Sequence, residues 1–142
     1  MRILAIDPGE KRIGIAISDP TGTIANPLTM IKHVSRRRDK RRNETAAKIA
    51  RLAEARECGK IVVGQALDWD GGETPSSRRA RRLAGAIRAR TNIPVELWDE
   101  YGSTQAAREA RIAMGIKRKK RRGHIDELAA TVILQSYLDE SS

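Results

Sequence analysis

A chain of 142 residues suffices for one domain with its own core and needs no covalent staple. Its 28 Lys and Arg against 18 Asp and Glu leave a formal net charge of +10, which points to a polyanionic partner, nucleic acid first, with Arg-rich solvated helix faces as the plain alternative. Aromatics are 3% with no Phe, so the core has to be aliphatic; the single Cys58 excludes an intrachain disulfide and no apolar run is long enough to span a bilayer.

Arg2 to Ile6 is a short apolar, β-branched run stopped by Asp7-Pro8-Gly9, the pattern of a buried strand ending in a turn. The chain starts directly in this strand pattern with no secretory leader, so the expected location is cytoplasmic. Ile13 to Ile17 is a second apolar run, close enough to fold back on the first as a hairpin. Asp7 then stands at the mouth of a sheet beside glycines that let a ligand approach the backbone. After the Asp19-Pro20-Thr21-Gly22 turn, residues 23–31 form a third extended segment broken by Asn26-Pro27. Pro27 lacks a ladder donor, which places this strand at an edge or on a bulge.

Lys32 to Arg42 is a basic run with the dull reading of a solvated helix start or loop, and His33 within it shows no partner. Ala46, Ile49, Ala50 and Ala53 have helical spacing, and Gly59 is the expected C-terminal cap, with Cys58 at the helix end as a buried or half-buried thiol. Ile61-Val62-Val63 reads as a parallel strand covered on both faces. In the loop from Gln65 to Pro75, Asp68 and Asp70 are candidate metal ligands, although Asp-Gly-Gly is more often turn chemistry.

A second amphipathic helix carries Ala80, Leu83, Ala84 and Ile87, with Arg78, Arg79, Arg81, Arg82, Arg88 and Arg90 outward for solvent or phosphate. Pro94 to Trp98 makes a strand that finishes in Asp99-Glu100. Ser103 or Thr104 caps a helix through Ala106, Ala107, Ala110 and Met114 that Gly115 ends. Lys117, Arg118, Lys119, Lys120, Arg121 and Arg122 follow as six consecutive cations, expected to be mobile until an anion neutralises them. The last helix, Ile125 to Leu138, is expected to bury Ala129, Val132, Ile133 and Ser136. The predicted order β-β-β-α-β-α-β-α-α gives an α/β fold: a mixed five-stranded sheet, its first three strands antiparallel and two more reached by helical crossovers, flanked by helices.

Each acid has a bland explanation: Asp7 as a turn residue, Glu100 as a solvated strand end, Asp126 as a helix N-terminal charge. Together they suggest more, since two lie at strand ends, where open α/β sheets place ligand sites, and the third opens a helix after a polycationic stretch.

Ile6-Asp7-Pro8-Gly9 with Lys11-Arg12-Ile13-Gly14 and Ser18-Asp19-Pro20, then Trp98-Asp99-Glu100 with Ser103-Thr104, then Asp126-Glu127-Leu128-Ala129-Ala130 and Ile133 to Leu138, closely resemble the YqgF (RuvX) family in register over nearly the whole chain. The resemblance implies a single ribonuclease H-like domain over residues 1–142, related to the resolvase RuvC. Members are described as nucleases of the pre-16S ribosomal RNA or as Holliday-junction resolvases. The acidic site then falls on Asp7, Glu100 and Asp126. Tyr101 replaces the family's usual Arg, and Gln65-Ala66-Leu67 its apolar-Pro-Leu stretch. Neither departure touches an acid.

Phosphodiester hydrolysis needs an activated water and a neutralised leaving oxygen, which two Mg²⁺ or Mn²⁺ ions about 3.5–4 Å apart supply, and carboxylates suit such hard ions. The expectation is that Asp7 bridges the ions while Glu100 and Asp126 hold one each, with Asp99 turned to the opposite side of the strand. Lys11, Arg12 and the run 117–122 are the phosphate-contact candidates. His124 is a candidate proton donor to the leaving group, set against a partly exposed His beside a helix start. The expected function is metal-dependent cleavage of structured RNA at the pre-16S 5′ end, with nucleic acid and ribosomal particles as partners, no membrane, and a monomer or homodimer. The alternatives are a resolvase of four-way DNA junctions, which needs a dimer, a nucleotide-binding protein of the actin or sugar-kinase type, disfavoured by the small size, and a non-catalytic nucleic-acid-binding module.

Overall fold

In a computed structural model the described residues are 1–33, 35–100, 106, 109–110, 113 and 126–141, with Asp126 described by its backbone alone. Five strands, β1 (Arg2–Pro8), β2 (Arg12–Ser18), β3 (Ala25–Lys32), β4 (Cys58–Gln65) and β5 (Val95–Asp99), form one mixed sheet in the order β3-β2-β1-β4-β5. β1, β2 and β3 pair antiparallel, whereas β4 pairs parallel to β1 and β5 parallel to β4. Helices α1 (Arg38–Ala55) and α2 (Pro75–Arg88) make the crossovers, and the last helix is α3 (Asp126–Ser141). Helical backbone at Ala106, Glu109, Ala110 and Ala113 falls inside the helix expected after Ser103.

Strand alternation sorts the aliphatic residues onto two faces. Leu4, Ile6, Ile13, Ile15, Ile61 and Val63 point to one face, where Ala46, Ile49 and Ala53 of α1 and Leu83, Ala84 and Ile87 of α2 cover them. Ile3, Ala5, Ala16 and Val62 point to the other and meet Ala130, Leu134, Tyr137 and Leu138 of α3. β3 is at the edge, Pro27 lies opposite Ala16, and the register shifts beside it, as a proline without a ladder donor requires.

Three expectations are corrected. Gly59 does not cap α1: the helix ends at Ala55 with Arg56 as its cap, Glu57 takes the left-handed turn at φ 55, and Cys58 and Gly59 belong to β4. The hydrophobic period could not reveal this, because a non-glycine residue makes the turn. The buried face of α3 is Ala130, Ile133, Leu134, Tyr137 and Leu138, joined by Ser136, whereas Val132 is exposed and Ala129 half-buried. The apolar residues of this helix run almost consecutively from Leu128 to Leu134, broken only by Thr131, so periodicity alone does not choose a face. Finally, His33 has partners, described below.

Candidate functional site

Because β1, β4 and β5 run parallel, their C-terminal ends share one edge. Asp7 is the last residue but one of β1 and Asp99 the last of β5; Glu100 continues the ladder, its N–H donating to Gln65 O at 2.9 Å. Alternation puts Asp7 on the α3 face with Ile3 and Ala5, and Glu100 on that face with Glu96 and Trp98, whereas Asp99 falls on the α1 and α2 face. The sequence expectation for Asp99 and Glu100 agrees with this placement.

Asp7 pairs with Gly14 on one side, and its parallel neighbour one step beyond the Ile6–Val63 pair is Gly64. The large side chains of that row stand at its two ends, Met30 opposite Gly14 and Trp98 opposite Gly64. A β-carbon at Gly64 would stand 2.7 Å from Ile133 Cδ1, so α3 lies directly on this glycine. Farther along, Tyr137 reaches Lys60 and Glu96 near the opposite edge. α3 therefore runs antiparallel to β4, and Asp126, about two turns before Ile133, begins it at the edge that carries Asp7 and Glu100.

Asp7 and Glu100 are two strand spacings apart, roughly 9.6 Å, and two residue rises, about 6.6 Å, along the strands. Asp and Glu side chains with ions between them span such a gap. Carboxylate oxygens are the donors that hard divalent ions take, and both acids are half-buried. Among the described side chains, which do not include that of Asp126, no three of His, Cys, Asp or Glu form a metal cluster. The Trp98 Nε1 donor is buried with no hydrogen-bond partner among the described residues.

Of the phosphate-contact candidates, Lys11 is exposed in the β1–β2 turn and Arg12 is exposed at the start of β2, at the same edge. Residues 117–122 and His124 lie outside the described residues. Asp68 and Asp70 are engaged in the loop after β4: Asp68 O accepts from Gly71 N–H, and Asp70 Oδ1 accepts from Gly72 N–H, both at 2.9 Å. The plain turn reading holds for this loop. Thr74 and Ser77 then cap α2 reciprocally, the Thr74 hydroxyl also donating to Ala66 O.

Sequence reasoning missed His33. Its Nε2 donates to Gly9 O at 3.2 Å, and its Nδ1 accepts from the Thr45 hydroxyl at 3.2 Å. It thus fastens the β1–β2 turn to α1. Burial lowers its pKa below the ordinary imidazole value and Arg41, Arg79 and Lys48 lower it further, against the Gly9 hydrogen bond. The partners are 24 and 12 residues away, so no local signal announces them.

A sequence model of RuvX, described as Holliday junction resolvase, matches residues 1–140. The chain belongs to the RuvX family. A relative from Syntrophus aciditrophicus named "Putative pre-16S rRNA nuclease" is 42% identical over all 142 residues and is itself 91% covered. One of the same name from Pelotomaculum thermopropionicum is 40% identical, with 98% of this chain and 87% of the relative covered. Among solved structures, Thermus thermophilus RuvC matches at a TM-score of 0.60 with 16% identity, covering 99% of this chain and 96% of RuvC. RuvC from the same organism in complex with a Holliday junction substrate matches at 0.59 with 15% identity, covering 99% and 95%. This RuvX-family chain therefore has the ribonuclease H-like fold of RuvC, as its sequence resemblance implies.

Proposed function

We propose that the chain is a metal-dependent endonuclease that hydrolyses phosphodiester bonds in structured RNA, acting in the cytoplasm on the 5′ end of the pre-16S ribosomal RNA as one domain over residues 1–142. The observation that carries this reading is the pair Asp7 and Glu100 on one sheet face at one edge, with Asp126 opening the helix that covers that face. The names borne by relatives 40–42% identical over almost their full length support the RNA substrate.

Asp7, on the central strand, would help to hold both of two ions, and Glu100 and Asp126 would hold one each. When bound, Mg²⁺ or Mn²⁺ activates the attacking water and neutralises charge on the leaving oxygen. The chain's own part is to hold the carboxylates and bring the phosphate to them. β1 is paired on both sides, and the Glu100 N–H is tied to β4, so these two acids share one rigid lattice. Gly14, paired with Asp7, adds no side chain beside the acid on that side, whereas Ile133 of α3 covers Gly64 on the other. Lys11 in the turn and Arg12 at the start of β2 contact flanking phosphates, and the cations 117–122 add to them.

Resolution of four-way DNA junctions is the second reading, favoured by the description of the family. It needs two sites related by a twofold axis and hence a dimer. The test is to incubate the purified protein with a pre-16S RNA fragment and with junction DNA, in Mg²⁺ and in Mn²⁺. Cleavage of the RNA is expected, with Asp7→Asn losing at least about 100-fold in rate while RNA binding changes less than about twofold. Cleavage of the junction alone moves the conclusion to the second reading. No cleavage of either substrate removes the nuclease reading.

A further inference from the structure

The cations of α1 and α2 gather at the same edge as the acids, on the opposite face of the sheet. β3 runs parallel to β1, because both pair antiparallel with β2, so the end of β3 and the end of β4 lie at one edge. α1 and α2 start from those two ends. Arg38, Arg41, Thr45 and Lys48 are spaced as one stripe along α1. Thr45 is buried against His33, which in turn holds Gly9 O, so this stripe borders the β1–β2 turn. From α2, Arg79 reaches the same turn and pairs with Glu10 at 3.2 Å, a screened pair because Glu10 is 81% exposed.

Arg38, Arg41 and Lys48 make no ion pair with a described residue. Glu44, four residues before Lys48, offsets part of this charge, and Asp39 is engaged by Arg37 at 3.8 Å. The remaining positive field is what His33 senses from Arg41, Arg79 and Lys48. Like charges held together repel until an anion arrives. Neither α1 nor α2 carries an aromatic residue, Trp98 and Tyr137 pack on each other on the α3 side, and the exposed Trp69 is in the loop between β4 and α2. Proteins that grip single strands line their grooves with successive stacking rings. Cations alone read phosphates, and a double helix offers phosphates while keeping its bases stacked.

We infer that Arg38, Arg41, Lys48 and Arg79, with Lys11 in the turn between, bind the phosphate backbone of a double-helical arm of the substrate beside the acidic edge. This deepens the nuclease reading and rests on it only for where the cut falls. The arm crosses the β1–β2 turn, so the duplex is held on one face of the sheet while the strand to be cut reaches the other.

The test measures binding in EDTA, where no cleavage intervenes, of blunt RNA and DNA duplexes and a single strand of equal length, about 20 nucleotides, across a salt series. Arg38→Gln, Arg41→Gln and Lys48→Gln combined are expected to weaken duplex binding at least tenfold at low salt. They also flatten the slope of log affinity against log salt by about 2–3. Gln keeps helix propensity, so the combined variant should melt within a few degrees of wild type. Unchanged duplex binding, or an equal loss for the single strand, overturns the inference. Loss of duplex binding without an equal loss for the single strand upholds it even if the wild-type protein cleaves nothing, which separates its failure from that of the nuclease reading.

Discussion

His33 Nε2 lies 3.2 Å from the carbonyl oxygen of Gly9, joining the end of β3 to the turn two residues beyond Asp7. Replacing His33 by Ala removes this bond and the one to Thr45, and the expected cost is about 1–2 kcal/mol, read as a shift in the urea midpoint at constant slope. The depressed folded pKa gives the bond a pH signature. Below the ordinary value of 6.5 the unfolded chain takes up a proton that the folded chain resists. Stability is therefore full above pH 6.5 and declines as pH falls through the folded pKa. His33→Gln should lose that part of the decline, and an unchanged pH profile would show that His33 is not its source.

Legibility from sequence follows the range of the interactions. The five strands, the two crossover helices and the edge position of β3 rest on local patterns, namely apolar runs, helical spacing and a proline without a donor. The position of Asp7 and Glu100 at strand ends was also legible, whereas the face they share depends on the register between β1, β4 and β5, which no local pattern supplies. The partners of His33 were not legible, because they come from the β1–β2 turn and from α1. The face of α3 was hidden by the nearly unbroken apolar run from Leu128 to Leu134, and the end of α1 by a left-handed Glu57 where a glycine is usual.

Gly64 sets how closely α3 approaches the acidic edge. An added β-carbon would lie 2.7 Å from Ile133 Cδ1 and 3.3 Å from its Cγ2, so Gly64→Ala has to displace this side chain. The expected loss is about 1–3 kcal/mol, with nuclease activity falling because α3 carries Asp126. Ile133→Val deletes Cδ1. The double variant should therefore recover part of both losses, a coupling measured by a double-mutant cycle in melting and in cleavage. Strict additivity would mean that the two residues do not meet.

At the opposite edge, Tyr137 gathers Lys60 and Glu96: Lys60 Nζ donates to its hydroxyl at 2.8 Å, and the hydroxyl donates to Glu96 Oε2 at 2.9 Å. The ammonium of Lys60 is held above its ordinary pKa, first by this hydroxyl and against some burial, so the contribution is complete at neutral pH and disappears only in alkali. Tyr137→Phe keeps the edge-to-face contact with Trp98, centroids 5.2 Å apart, and removes the hydrogen bonds. A melting temperature lower by about 3 °C is expected, with cleavage rate per folded molecule unchanged. A large loss of cleavage would relocate the site.

The acids themselves have a test that requires no substrate. Carboxylates gathered at one edge repel in the absence of metal, so Asp7→Asn should leave the metal-free protein as stable as wild type or slightly more so at pH 7. Divalent ions should then separate the two proteins in the opposite sense. Wild type is expected to melt progressively higher as Mn²⁺ or Mg²⁺ rises, gaining about 2.7 kcal/mol at a concentration 100 times the dissociation constant. Asp7→Asn and Glu100→Gln should lose most of that gain, while Tyr137→Phe retains it. Calorimetry across a metal series supplies the measurement. Equal metal stabilisation of wild type and Asp7→Asn would mean that ions bind elsewhere and that this edge of the sheet does not hold them.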